Sequence, residues 1–309
     1  MLYKRPFVCP PSLVTDLADA QPQPMAVVAA NSAVVLESAW MALRHGLVEP
    51  VLVGDPARIK GIADEIGWTL AGCRIVPAED EAAAARTSVA LARRGEVAAL
   101  MKGHIHTDML MRAVLDKREG LRTGRRMTHV FHMSVPYSTR ELIISDAAIN
   151  VAPDIEMKLD IVRNAVGLAH ALGNPHPRVA LLSATEEPSE KMPSSMEAAA
   201  VVRRLEAEGL PDCDVYGPLA FDDAVSPVAA RLKGIEHPVA GNADILVVPN
   251  IETGNALFKM MVYFIGATAA GIAVGATVPI VLTSRADPPE ARLAAAALAR
   301  RLVSAAAAS

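Results

Sequence analysis

A chain of 309 residues is long enough for two ordinary domains, and with 52% hydrophobic residues and only 4% aromatic ones it is not a disordered chain. Its net charge of −4, with lysines and arginines scattered rather than blocked, excludes a nucleic-acid-binding face and attachment to an anionic membrane surface. The three cysteines, Cys9, Cys73 and Cys213, lie far apart and outside any CxxC pair, which excludes a zinc ribbon and points to a reducing compartment.

Met1-Leu2-Tyr3-Lys4-Arg5-Pro6 contains no apolar leader core, so a cytoplasmic location is expected. Pro6, Pro10, Pro11, Pro22 and Pro24 keep the next stretch largely extended. Strands and helices then alternate. Strands are predicted at 26–30, 51–53, 74–76 and 97–101, and helices at 33–45 (capped by Asn31 or Ser32), 57–66, 81–94 and 107–116 (capped by Thr107). Two consecutive strands, 130–135 and 142–145, suggest a hairpin. Asp154 caps a long helix at 155–172, after which strands at 179–183, 214–216 and 245–249 alternate with helices at 196–209 and 222–233, with Pro227 as a kink or start. A helix is expected from Asn255 onward, a short strand at 279–282 and a last helix at 290–305. Residues 260–282 carry no charge and are long enough to span a bilayer, but Gly266, Gly271, Gly275 and Pro279 interrupt them. A buried helix followed by a core strand is expected there.

Strands separated by helices of ten or more residues predict an α/β class, with parallel sheets covered on both faces. The irregular zone at 135–150 suggests a boundary. The expected domains are 1–145 plus 273–309, and 146–272, with the ligand in a cleft between two α/β units.

Several polar clusters stand where such sheets bind ligands, at strand carboxyl ends. Thr253-Gly254-Asn255 reads as a strand-to-helix turn with backbone N–H groups free for an anion, and Lys259 lies one helical turn past Asn255 on the same face. The plain alternative is a capped helix with a solvated lysine. Ser284-Arg285-Ala286-Asp287 could supply oxyanion donors and a base, or end a strand and cap a helix. Lys102-Gly103-His104-Ile105-His106-Thr107 reads as a polar anion loop in which Gly103 permits close backbone approach; no third ligand completes a metal site with His104 and His106. Lys191 and Ser194 belong to a small-polar loop whose Ser194 or Ser195 could equally form a capping box with Glu197. Arg122, Arg125 and Arg126 fit either phosphate contacts or a solvated turn. No GxGxxG, Walker or GxSxG motif is present.

The order Lys102-Gly103-His104-Ile105-His106-Thr107, Thr128-His129-Val130-Phe131, Lys191-Met192-Pro193-Ser194-Ser195, Thr253-Gly254-Asn255 with Lys259, and Ser284-Arg285 closely resembles the phosphate acetyl/butyryltransferase family. The resemblance runs from about Ala26 to the end of the chain, with the Ser-Arg segment looking more like the butyryl branch. It implies two α/β/α domains with a cleft, as in isocitrate and isopropylmalate dehydrogenases. It also implies transfer of a short acyl group, acetyl or butyryl, from coenzyme A to inorganic phosphate, with no covalent acyl-enzyme. Ser284, Arg285 and Asp287 are then catalytic, with Glu290 as the second candidate for the base because the family's downstream Asp does not carry over cleanly. Thr253, Gly254, Asn255, Lys259, Lys102, Gly103, His104, Lys191, Ser194 and Arg125 become phosphate- or CoA-binding residues. CoA and phosphate are substrates, no cofactor or metal is held permanently, and a homodimer is expected. Two rivals are a metal- and NAD-dependent decarboxylating dehydrogenase on the same fold and a CoA- or acyl-phosphate-binding protein without turnover.

Overall fold

An apolar run without a polar break must be covered on both faces, and residues 25–30 are such a run. In the computed structural model its first four residues are the buried part of β1, Gln23–Val28, and the buried Ala29 and Ala30 follow the strand. The structure describes residues 6–17, 21–136, 138, 140–210, 212–283 and 287–308. They fall into two compact units, Phe7–Arg125 with residues from Ala270 onward, and Arg126–Ala269 with Pro6.

The first unit opens with the short α1 (Pro11–Val14), then β1, α2 (Ala33–Arg44), β2 (Val48–Gly54), α3 (Pro56–Glu65), β3 (Arg74–Pro77), α4 (Glu81–Arg93), β4 (Ala99–Lys102) and α5 (Thr107–Val114). Asp55 and Asp80 end the loops before α3 and α4, and their carboxylates accept from first-turn N–H groups, Ala57 N at 2.9 Å and Ala83 N at 2.6 Å. Neither Asn31 nor Ser32 caps α2 through its side chain. Ser32 holds the cap position without a cap bond, and Asn31 Oδ1 accepts from Asp55 N instead. Thr107 is likewise inside α5, after His106.

The second unit holds β5 (Thr128–Ser134), β6 (Glu141–Ser145), α6 (Ile155–Ala171), β7 (Arg178–Leu182), α7 (Pro193–Glu208), β8 (Asp214–Leu219), α8 (Phe221–Val225), α9 (Pro227–Leu232), β9 (Ile245–Val247) and α10 (Ile251–Met260). β5 and β6 form the expected antiparallel pair, and β6, β9, β7 and β8 follow in parallel. Because β6 pairs with β9, the hairpin packs with the segment Arg126–Ala269, whereas a boundary at 145 would put it in the first domain. Asp154 Oδ1 caps α6 through Met157 N at 2.7 Å, as expected. The helix expected at 222–233 is two helices: Ser226 Oγ caps α9, and Pro227 takes its first turn, where the missing N–H costs nothing. Phe131, Met133, Ile144, Leu182, Leu219 and Leu246 fill the core beside the sheet. Fully burying an aliphatic or aromatic side chain of this size stabilises by roughly 1.5–3 kcal/mol.

After α10 the chain winds through a five-residue π-turn, Met261–Ile265, closed by Gly266 at φ 74°. Then come β10 (Thr268–Val274), β11 (Ile280–Val281) and α11 (Pro289–Ala308). β10 is a strand where a buried helix is expected from the sequence; its β-branched residues Thr268, Ile272 and Val274 are separated by Ala and Gly, which weakens the strand signal. β11 lies antiparallel to β10 and parallel to β4, so the chain's last strand completes the first unit in the order β3, β2, β1, β4, β11, β10. Among the described residues no helix is long and apolar enough to cross a membrane.

Candidate active site

In the first unit, β4 delivers Lys102, Gly103 and His104 at its carboxyl end. Gly103 N donates to Val28 O and His104 N to Ala29 O, each at 2.9 Å, so this loop continues the ladder past the end of β1. A Cβ at Gly103 would stand 2.2 Å from Val28 O and 2.7 Å from Ala29 O. The close approach that the glycine permits here is to the chain's own backbone.

Beside this loop is a cavity of about 190 Å³ lined by Ser32, Val35, Ser38, Met101, Lys102, His104, Thr283 and Arg292. Ser284 and Arg285 follow Thr283 directly in the chain and lie outside the described residues. Asp287 is half-buried, and its backbone carbonyl accepts from Arg292 Nη1 at 2.8 Å. Arg292 is not among the expected site residues, because an arginine near the start of an Ala-rich helix carries no local signal. Arg125 is exposed on a turn that Thr123 holds, its N–H donating to Thr123 Oγ1 at 3.1 Å. Neighbouring Arg126 pairs with Asp154 at 3.1 Å.

In the second unit, the Thr253-Gly254-Asn255 segment differs from the expected turn. The helix begins at Ile251, capped by Asn250, so the three residues lie within its first turns. The N–H of Thr253 goes to Asn250 Oδ1 at 3.0 Å, that of Gly254 to Asn250 O at 3.3 Å and that of Ile251 to Val151 O at 3.0 Å. These donors are already satisfied, and the backbone anion cradle expected here is not formed by them. The segment offers side chains instead: Thr253 and Lys259 are exposed and Asn255 is half-exposed. Gly254 is required by packing, since a Cβ would meet Ala147 Cβ at 2.7 Å and Asp146 O at 2.9 Å.

Asp146, at the carboxyl end of β6, organises this region and carries no signal in the sequence. Its buried carboxylate accepts from His129 N (3.0 Å), Ala148 N (2.9 Å), Ile149 N (3.0 Å) and Asn150 Nδ2 (2.6 Å). Asn150 continues to the backbone carbonyl of Met127 at 3.0 Å. The loop leading to α6 is thus tied to the strand ends, and Asp146 and Ala147 form the surface on which Gly254 rests.

After β7, the strand that neighbours β9, the loop carrying Lys191 leads into α7, whose first turn holds Ser194. Ser194 Oγ meets Ser183 Oγ at 2.9 Å, and Lys191 is exposed. The capping box is not built. Met192 holds the cap position without a side-chain bond and Ser195 Oγ bonds Met192 O at 2.8 Å. Glu197 turns to the buried Lys158 instead.

Asp222 and Asp223 stand in the first turn of α8. Buried Asp223 pairs with Lys233 at 2.7 Å, and burial pushes its carboxyl above the usual range. Among the described residues, no group of three or more His, Cys, Asp or Glu is placed to hold a metal ion.

The family model described as phosphate acetyl/butaryl transferase matches residues 79–300. A phosphate acetyltransferase of Rhizobium meliloti is 49% identical over 264 residues, 85% of this chain and 84% of that protein. A phosphate butyryltransferase of Clostridium acetobutylicum is 39% identical over 287 residues, 93% of this chain and 95% of that one. A crystal structure of a branched-chain phosphotransacylase from Enterococcus faecalis matches with a TM-score of 0.80 at 33% identity, covering 91% of this chain and 99% of that chain.

Proposed function

The chain belongs to the phosphate acetyl/butyryltransferase family, and from that premise we propose that it moves a short acyl group, acetyl or butyryl, between coenzyme A and inorganic phosphate. One observation carries the reading to particular residues: the Lys102-Gly103-His104 loop shares a cavity with Thr283, the residue before Ser284-Arg285. Thr283 and that loop stand at the carboxyl ends of the adjacent parallel strands β11 and β4.

The chemistry asks for what these residues offer. Attack of a phosphate oxygen on the thioester carbonyl gives a tetrahedral oxyanion, which Arg285 and Ser284 stabilise as hydrogen-bond donors. Lys102 and His104 hold the phosphate against the carbonyl. The C–S bond then breaks and CoA leaves as the thiolate. In reverse a carboxylate, Asp287 first and Glu290 second, takes the thiol proton. Thr253, Asn255, Lys259, Lys191 and Ser194 of the second unit are proposed to bind CoA or phosphate through their side chains.

The proposal extends to three further points. The two units are the domains of an isocitrate dehydrogenase-like fold. The protein works in the cytoplasm, in line with cysteines that are unpaired. It acts as a homodimer, for which the exposed apolar run of Met260, Tyr263, Phe264 and Ile265 is a contact surface. Sedimentation equilibrium should then give twice the 32.6 kDa chain mass, and a monomer at micromolar concentration removes that part.

The activity is tested by incubating the protein with acetyl-, propionyl- or butyryl-CoA, with and without phosphate, and following free thiol. Phosphate-dependent release is expected, and release that ignores phosphate excludes the reading. Arg285→Ala should lower kcat on the order of a hundredfold or more, the cost typical of losing an oxyanion donor. A change below about threefold would remove Arg285 from that role.

A further inference from the structure

We infer that Arg292 is a phosphate-binding residue of this site, and that the cavity between the start of α2 and the end of β4 receives the phosphate that attacks the thioester. The inference rests on the proposed reaction and adds a residue and a place to it.

Arg292 lines that cavity together with Ser32, Lys102, His104 and Thr283. Its guanidinium is only partly used. Nη1 donates to the Asp287 carbonyl at 2.8 Å, while Nε is buried and has no hydrogen-bond partner among the described residues. A buried donor without a partner is costly, and a ligand oxygen would satisfy it. Asp287, Glu37 and Glu290 are close enough to favour its charge, yet burial outweighs them and draws the guanidinium below its usual range, so a bound anion would restore what burial removes.

Three other features point the same way. Lys102 brings a second cation to the cavity. Ser32 sits at the amino end of the twelve-residue α2 and spends no side-chain bond on capping it, leaving a hydroxyl at the positive end of the helix. The volume of about 190 Å³ lies below the roughly 300–1,000 Å³ typical of pockets for drug-sized ligands, so it suits a phosphate with a short acyl group beside it rather than a nucleotide. A planar fork such as arginine's binds phosphate through paired N–H donors, which a lysine cannot reproduce.

The test varies inorganic phosphate at saturating acyl-CoA, then acyl-CoA at saturating phosphate, for wild type, Arg292→Ala, Arg292→Lys and Ser32→Ala. Arg292→Ala is expected to raise the KM for phosphate at least tenfold while the KM for acyl-CoA stays within about twofold; Arg292→Lys should be intermediate and Ser32→Ala should raise the phosphate KM a few-fold. If Arg292 only anchors the Asp287 carbonyl, kcat falls with both KM values unchanged, and the inference is overturned. It is also overturned if the acyl-CoA KM rises instead. Thermal melts establish that each variant folds; should Arg292→Ala not fold, Arg292→Lys must by itself show the selective rise in phosphate KM. Absence of phosphate-dependent thiol release in the wild type sinks the proposed reaction itself, a result distinct from an active enzyme whose phosphate KM ignores Arg292.

Discussion

Asp146→Ala is expected to destabilise the protein by about 4 kcal/mol and to lower its melting temperature on the order of 10 °C. The carboxylate is almost fully buried and accepts from three backbone N–H groups and one side-chain amide. Hydrogen bonds to a charged acceptor contribute more than neutral ones, and each buried N–H left unpaired costs roughly 1–3 kcal/mol. The damage should reach function as well. Asn150 loses its tie to Asp146, and the surface that supports Gly254 loosens beneath α10. Thr253, Asn255 and Lys259 would then be held less firmly, and kcat/KM should fall even below the melting transition. Asp146→Asn keeps the shape and one acceptor oxygen but points an amide at the N–H donors, so an intermediate loss is expected. Denaturant unfolding gives the stability loss of both variants. A loss under about 1 kcal/mol for the alanine variant would show that water replaces the carboxylate easily.

Gly103→Ala is the second large effect, about 3 kcal/mol or more. The added carbon would lie 2.2 Å from Val28 O and 2.7 Å from Ala29 O, both backbone atoms. β1 cannot yield, because it is bonded to β2 on one side and β4 on the other. The loop must move instead, and the bonds from Gly103 N and His104 N stretch or break. Since Lys102 and His104 line the cavity, activity should drop with stability. Gly61→Ala is the matched control: it lies within α3, and nothing stands within 4 Å of its added carbon, so a gain of roughly 0.5–1 kcal/mol is expected. Equal effects at the two glycines would refute the steric account.

The alternation of strands and helices is legible in the sequence because each apolar run and each cap is a local signal; Asp154 capping α6 is an example. What is not legible depends on contacts distant in sequence. Thr253-Gly254-Asn255 reads as a turn because glycine usually breaks helices, whereas Gly254 is there so that α10 can lie against Ala147 and the Asp146 carbonyl. Asn250, not a residue of the turn, takes the cap. A single carboxylate at a strand end gives no hint that Asp146 gathers donors from His129, Ala148, Ile149 and Asn150. Arg292 looks like one more helix charge until the fold sets it in the same cavity as Lys102, which lies far earlier in the chain. The Lys102-Gly103-His104 loop does stand at a strand's carboxyl end, and the close packing of Gly103 on Val28 and Ala29 carries no local signal.

The most direct measurement follows the acyl group itself. With acetyl or butyryl phosphate and CoA as the starting materials, phosphorus NMR follows acyl phosphate and inorganic phosphate while ultraviolet absorbance follows the thioester. An enzyme of this kind should consume acyl phosphate and free thiol in equal amounts and produce phosphate and thioester at the same rate. Phosphate appearing while the thiol is untouched would mean hydrolysis, and acyl transfer between phosphate and CoA would be contradicted.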